Sequence, residues 1–121
     1  MDSDSVALAV ETDRAAYVPG EPVEFVLTLR NTSEHTIHLS FSDSQRYDFR
    51  IVDLQNGGEL WRWGADRMFA QVLGTERLDP EEPRRWREVY EGDLPPGEYE
   101  VEGIVPTDEE TFRSTASFRV K

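Results

Sequence analysis

Cysteine is missing from this chain and lysine nearly so, since Lys121 is the single lysine and the remaining basic residues are arginines. Without thiols there can be no disulfide and no thiolate zinc site, and stability has to come from packing. No apolar run approaches the roughly 20 residues a membrane-spanning helix needs, so no membrane insertion is expected. The opening, Met1-Asp2-Ser3-Asp4-Ser5, has neither a basic stretch nor a long apolar one and is not a signal peptide as written. It reads as a flexible arm, residues 1–5, on a cytoplasmic protein. The same arm would also suit the trimmed start of an exported or lipoprotein-derived form.

Positive charge is scarce too. Thirteen Lys and Arg stand against 25 Asp and Glu, for a formal net charge of -12, which repels phosphate backbones and anionic membranes. Nucleic acid is excluded as a partner on that ground, and an acid-rich, lysine-poor surface suits high salt or a GC-rich genome. Catalytic and ligand-binding motifs are equally thin. His35 and His38 lie three apart near a strand start, where alternation sends them to opposite faces, so they do not ligate one metal together. There is no Gly-x-Ser-x-Gly elbow and no phosphate-cradling glycine loop. Asp108-Glu109-Glu110 lacks the spacing of a calcium loop and reads as a solvated hairpin tip. Neither metal nor cofactor is expected, and the chain reads as a non-enzyme.

What is present is alternation. Val6, Leu8 and Val10 mark a first strand, and Tyr17-Val18-Pro19-Gly20 a turn. Val23, Phe25, Leu27 and Leu29 form a half-buried strand ended by Asn31-Thr32-Ser33, which matches a glycosylation sequon and is read here only as a surface turn. Ile37, Leu39 and Phe41 give another strand. Over residues 68–73, Phe69, Val72 and Leu73 fit either one helical turn or an irregular edge strand, and the strand is preferred. Trp86 is the expected inward residue of a short strand over residues 84–90. Tyr99 follows a Pro-Gly turn in the manner of a tyrosine corner and opens a strand through Val101, Gly103 and Val105. Phe112, Ala116, Phe118 and Val120 line the last strand. About eight short strands and no convincing helix predict an all-β, antiparallel β-sandwich filling residues 1–121 as one domain.

The most informative stretch is residues 45–69. Tyr47, Phe49 and Ile51 alternate with Asp48, Arg50 and Val52, and Glu59 to Trp63 follows a glycine-containing turn, which predicts a hairpin. A two-residue Asn56-Gly57 loop would put Trp61 and Trp63 on the charged face. A three-residue loop, with Gly58 left-handed in a bulge, sets Ile51 opposite Trp63 and gathers Tyr47, Phe49, Ile51, Trp61 and Trp63 on one face. The second register is preferred, although it places Asp53 on that face opposite Trp61. Beyond the hairpin, Gly64, Asp66, Arg67, Met68 and Phe69 put a carboxylate, a guanidinium and two large apolar groups where binding loops sit, with Tyr47, Phe49, Trp61 and Trp63 as the supporting hairpin. The competing reading is structural: Asp66 caps the turn, Arg67 pairs with it or stacks on Trp63, and Met68 and Phe69 plug the end of the sandwich.

Gln45-Arg46-Tyr47-Asp48-Phe49, Trp61-Arg62-Trp63 and Asp66-Arg67-Met68-Phe69 together resemble the bacterial intracellular proteinase inhibitor family of the BsuPI type. Pro19-Gly20-Glu21-Pro22-Val23 and Asn31 fit as well. The resemblance runs from about Val10 to about Tyr90, with Gly64 where the family would have Ser and no signature after Tyr90. It implies an immunoglobulin-like fold and a protein that binds a partner protein, a cytoplasmic subtilisin-type serine protease. A monomer is expected, and inhibition of this kind needs an exposed loop, held extended, that inserts into the protease cleft. The loop expected to do so is residues 64–69, with Met68 entering an apolar specificity pocket and Asp66 and Arg67 holding the loop's shape. The alternative is a non-inhibitory interaction or cell-envelope accessory module of the same fold.

Overall fold

The computed structural model describes residues 5–121. Ten strands run through the chain in order: β1 Val6–Thr12, β2 Ala16–Tyr17, β3 Val23–Asn31, β4 Ile37–Phe41, β5 Asp48–Asp53, β6 Glu59–Arg62, β7 Gly74–Leu78, β8 Pro83–Tyr90, β9 Gly97–Pro106 and β10 Thr111–Val120. They form a three-stranded sheet ordered β1-β3-β8, a five-stranded sheet ordered β2-β10-β9-β5-β6 and a two-stranded sheet of β4 and β7. The sandwich is therefore all-β, with about ten strands where about eight were expected. The short β2 and the separate β7 make the difference. Of the arm expected over residues 1–5, residues 1–4 lie outside the described residues, while the Ser5 carbonyl accepts the Thr32 N–H at 2.8 Å.

Alternation drives the layering. In β3 each of Val23, Phe25, Leu27 and Leu29 is buried, while the residues between them are only half covered. This apolar face meets the five-stranded sheet, with the Phe25 ring 5.2 Å from Phe49 and 5.9 Å from Trp61. The two sheets pack tightly at Gly103, where an added Cβ would sit 2.4 Å from a Leu27 methyl and 3.3 Å from Val10 Cβ. Only a residue without a side chain leaves room there for Leu27.

Two buried tyrosines pin the loops at the sandwich ends. Tyr99 donates to the Pro95 carbonyl, which is the tyrosine corner expected from the Pro-Gly turn. Tyr17, paired in parallel with β10 through Val120, donates to Asp13 Oδ1 at 2.6 Å and accepts the Arg14 N–H at 3.1 Å. Asn31 departs from its reading as a surface turn. It is fully buried, its amide donating to the carbonyls of His35 at 2.7 Å and Leu78 at 2.9 Å while its oxygen accepts the Ser33 N–H and hydroxyl. Its polar atoms replace missing main-chain partners where β3 hands over to β4 and β7.

The hairpin of β5 and β6 forms, but in neither expected register. Asp53 donates its N–H to Gly58, Val52 lies opposite Glu59, and past a bulge Ile51 faces Trp61 and Arg50 faces Arg62. Gly57, at φ 76°, is the left-handed residue, and Gly58 is not among the positive-φ glycines. The preferred loop was thus too short, and the extra residue sits at Leu60 instead. Because the pairing at Trp61 differs from the preferred register by two residues, the side-chain parity survives: Phe49, Ile51, Trp61 and Trp63 still point to the core side. Asp53 ends β5 opposite Tyr99 of β9, away from Trp61, and its carboxylate accepts the Gln55 N–H at 2.9 Å.

The edge strand expected over residues 68–73 is absent. That segment belongs to no ladder, and β7 starts at Gly74, paired with Phe41 of β4. Val72 and Leu73, whose spacing suggested a covered face, are 63% and 81% exposed.

Candidate functional site

Trp63 ends the hairpin and begins a 3-10 turn, Trp63–Asp66, from which the chain emerges extended at Arg67, with φ -113° and ψ 152°. The turn is held from below by Asp48. One oxygen of this buried carboxylate accepts the Gly64 N–H and its own neighbour's Phe49 N–H, both at 2.8 Å, and the other accepts from Arg62 at 3.3 Å. Gly64 fits tightly over that carboxylate: an added Cβ would meet Gln45 Nε2 at 2.9 Å and Asp48 Oδ2 at 3.0 Å. A Ser in this place would need the Gln45 side chain to move. Arg62 also binds Glu59 at 2.8 Å, and its hydrogen bond holds the Glu59 carboxyl below the usual carboxylate value.

Above the turn the aromatic residues form a stack. Arg67 lays its guanidinium carbon 4.2 Å from the Trp63 ring centre, Tyr47 stacks on Trp63 at 4.6 Å and 24°, and Trp86 stacks on Tyr47 at 5.3 Å. Tyr47 is fixed in turn by donating its hydroxyl to Glu88 on β8. Burial first, and the Glu88 bond second, push the Tyr47 phenol well above its ordinary value. Trp61 faces the same side but has other neighbours, Phe25 and Tyr90. The buried Trp63 indole N–H has no acceptor among the described residues. Trp63 holds the loop through its ring face and its backbone carbonyl, and its N–H takes no part in this.

The loop residues named from sequence are brought together here and do different things. Arg67 donates Nε to the Trp63 carbonyl at 3.1 Å and its N–H to Gly64 at 3.3 Å. Phe69 turns its half-buried ring toward Trp63, 6.0 Å between centres. Met68, between them, is 99% exposed. Asp66 is exposed, has no ion pair among the described residues, and borders a shallow cleft with Glu59, Leu60, Trp61, Arg62 and Ala65. Downstream, Ala70 and Ser44 exchange two bonds: the Ala70 N–H to Ser44 Oγ and the Ser44 N–H to the Ala70 carbonyl, both at 2.9 Å. Residues 67–73 run without a turn or bend until Gly74 passes beneath Arg46, which pairs with Glu76 at 3.4 Å and covers Phe41 at 4.4 Å.

Sequence reasoning quoted Arg46 and Asp48 within the family motif but gave neither a structural role, and it did not single out Ser44. For Asp48 a signal existed: aspartate is depleted in strands, and one that opens a strand ahead of Phe49 needs hydrogen-bond donors to be tolerated. Ser44 carried none, because its partner lies 26 residues away. The arrangement offers a partner an apolar side chain just past the extended Arg67, on a backbone anchored on both sides. His35 and His38 are both exposed, and among the described residues no three His, Asp or Glu side chains group as a metal site.

Solved structures share the fold. The C-terminal domain of wzt aligns with TM-score 0.59 at 9% identity over 97% of this chain and 74% of that one. The sporulation control protein Spo0M of Bacillus subtilis aligns with TM-score 0.56 at 15% identity over 96% of this chain and 48% of its own. A CARDB domain from Pyrococcus furiosus, crystallised with di-metal ions, aligns with TM-score 0.55 at 12% identity over 96% and 87%. A β-glucosidase from Erythrobacter marinus also aligns, but this chain spans only 15% of that enzyme's length. At such identities the likeness concerns the immunoglobulin-like sandwich alone. Curated proteins compared by sequence give no match. The family model for intracellular proteinase inhibitors, BsuPI, does match, over residues 10–110, and so extends past the Tyr90 limit of the resemblance noted in the sequence. With the aromatic hairpin, the loop it carries and this match in hand, the chain belongs to the intracellular proteinase inhibitor family.

Proposed function

We propose that this protein is a monomeric, cytoplasmic, non-enzymatic inhibitor of subtilisin-type serine proteases, and that residues 64–69 enter the protease cleft. One observation carries the reading: Met68 is 99% exposed at the crest of a segment whose neighbours on both sides are fastened to Trp63. A protease cleft binds its substrate as an added extended strand, with main-chain hydrogen bonds for affinity and side-chain pockets for selectivity. From Arg67, where the chain leaves the 3-10 turn with extended backbone, an anchored segment loses little entropy on docking, and a chain without disulfides has to achieve that through packing. Met68 supplies the side chain for an apolar specificity pocket, and Arg67 holds the backbone beneath it.

Titration into a panel of active-site-calibrated subtilisin-type proteases tests this. One-to-one tight inhibition of at least one member is expected, weakened on the order of a hundredfold by Met68→Gly, because a filled, desolvated pocket at an interface centre carries about 2–4 kcal/mol. Indifference or steady digestion across the panel would instead indicate a non-inhibitory interaction module. Unchanged inhibition by Met68→Gly would remove this loop from the contact.

A further inference from the structure

The anchors of the loop bear on what happens after a protease attacks it. On the N-terminal side of Met68, Arg67 is held by the Trp63 ring, the Trp63 carbonyl and the Gly64 carbonyl. On the C-terminal side, Phe69 packs on the same Trp63 ring and Ala70 is tied by two hydrogen bonds to Ser44. Of residues 67–70, Met68 alone makes no hydrogen bond or ring contact among the described residues, and its peptide bond to Phe69 spans the gap between two clamps.

We propose, resting on the inhibitor reading above, that the Met68–Phe69 bond is cut and rejoined by the target protease, and that the clamps on Trp63 and Ser44 make rejoining outrun release. The protease serine oxygen adds to the Met68 carbonyl carbon, and the C–N bond breaks as the serine proton passes through the protease histidine to the Phe69 nitrogen. Met68 is left as an ester on the serine and Phe69 as a free amine. Two reactions then compete. Water can attack the ester, giving a Met68 carboxylate and a Phe69 ammonium. Alternatively the Phe69 amine can attack, re-forming the peptide and returning the proton to the serine. An amine held beside the ester by Phe69 packing and the Ser44–Ala70 pair has a high effective concentration, so the second path is favoured. A flexible loop would lose its amine end and be digested.

The test uses the full chain with a catalytic amount of a subtilisin that it inhibits, followed by intact-mass and peptide mass spectrometry. A single cut between Met68 and Phe69 is expected, with both pieces still associated. The same ratio of intact to cut protein should be reached from purified intact protein and from purified cut protein. Arg67→Ala, which removes an exposed side chain and its cover on the Trp63 ring, is expected to raise the cut-to-intact ratio about tenfold, the scale of a lost cation–π contact, and Arg67→Lys to restore part of it. Cutting at another bond, cut protein that never returns to intact, or a ratio unmoved by Arg67→Ala would overturn the proposal. Inhibition is measured in the same samples: if it persists through any of those results, only cut-and-rejoin fails. If there is no inhibition at all, the inhibitor reading fails with it.

Discussion

At the scale of single residues, Asp48 links the core to the loop. It is buried, yet it serves the N–H groups of Phe49 and Gly64 and the Arg62 guanidinium at once, so the strand, the 3-10 turn and the hairpin edge all depend on one carboxylate. Asp48→Ala strands the Gly64 N–H and releases Arg62, and should cost about 2–3 kcal/mol in urea unfolding, with weaker inhibition. Asp48→Asn keeps an acceptor oxygen under Gly64 and loses only the charge, so about half that loss is expected. Equal effects of the two substitutions would mean that the charge, and not the bond to the turn, is what matters. Asp48 was hard to recognise in sequence because strand alternation assigned it to the outer face with Arg50, and pattern alone does not show a strand end folding back over its own first residue.

At the scale of elements, the hairpin shows how much pattern can resolve. The shared face of Phe49, Ile51, Trp61 and Trp63 was legible because burying a tryptophan pair outweighs any loop preference, and side-chain parity changes only with odd shifts. Loop length was not legible, since Asn56-Gly57-Gly58 supports several turns and the bulge at Leu60 has no sequence marker. The two glycines now separate: Gly57 lies at φ 76°, so Gly57→Ala should cost about 1 kcal/mol in chemical denaturation. Gly58→Ala has no such penalty and has only the Asn56 side chain to displace. A larger loss at Gly58 than at Gly57 would restore the three-residue loop. Residues 68–73 misled for a related reason. Apolar spacing signals a buried face when a partner covers it, and here Met68, Val72 and Leu73 are displayed to solvent.

At the scale of the whole molecule, the sandwich was legible because alternation and turn residues repeat through the chain and agree with one another. The position of the loop against Ser44 and Arg46 depends on long-range closure, which no local pattern carries. One global property follows from where the tyrosines sit. Tyr17, Tyr47, Tyr90 and Tyr99 are all of the chain's tyrosines, and burial is the main cause raising each phenol above 10.0, Tyr17 to about 12. Between pH 10 and 12 the folded chain therefore holds more protons than the unfolded one, and its stability falls as pH rises through that window. Phenolate absorbance should stay low at pH 10 and then rise together with loss of the tertiary circular dichroism signal. A half-ionised tyrosine signal at pH 10 in the folded protein would show these phenols to be solvated.

Met68 is the only methionine of the sequence besides Met1, so brief oxidation by peroxide followed by peptide mass spectrometry can read the loop. In complex with a subtilisin-type protease whose serine is replaced by alanine, Met68 should be strongly protected from sulfoxide formation relative to the free protein, while a free methionine peptide added to the same sample should oxidise at an unchanged rate. Inhibition accompanied by an unprotected Met68 would contradict the claim that this anchored loop is what the protease grips.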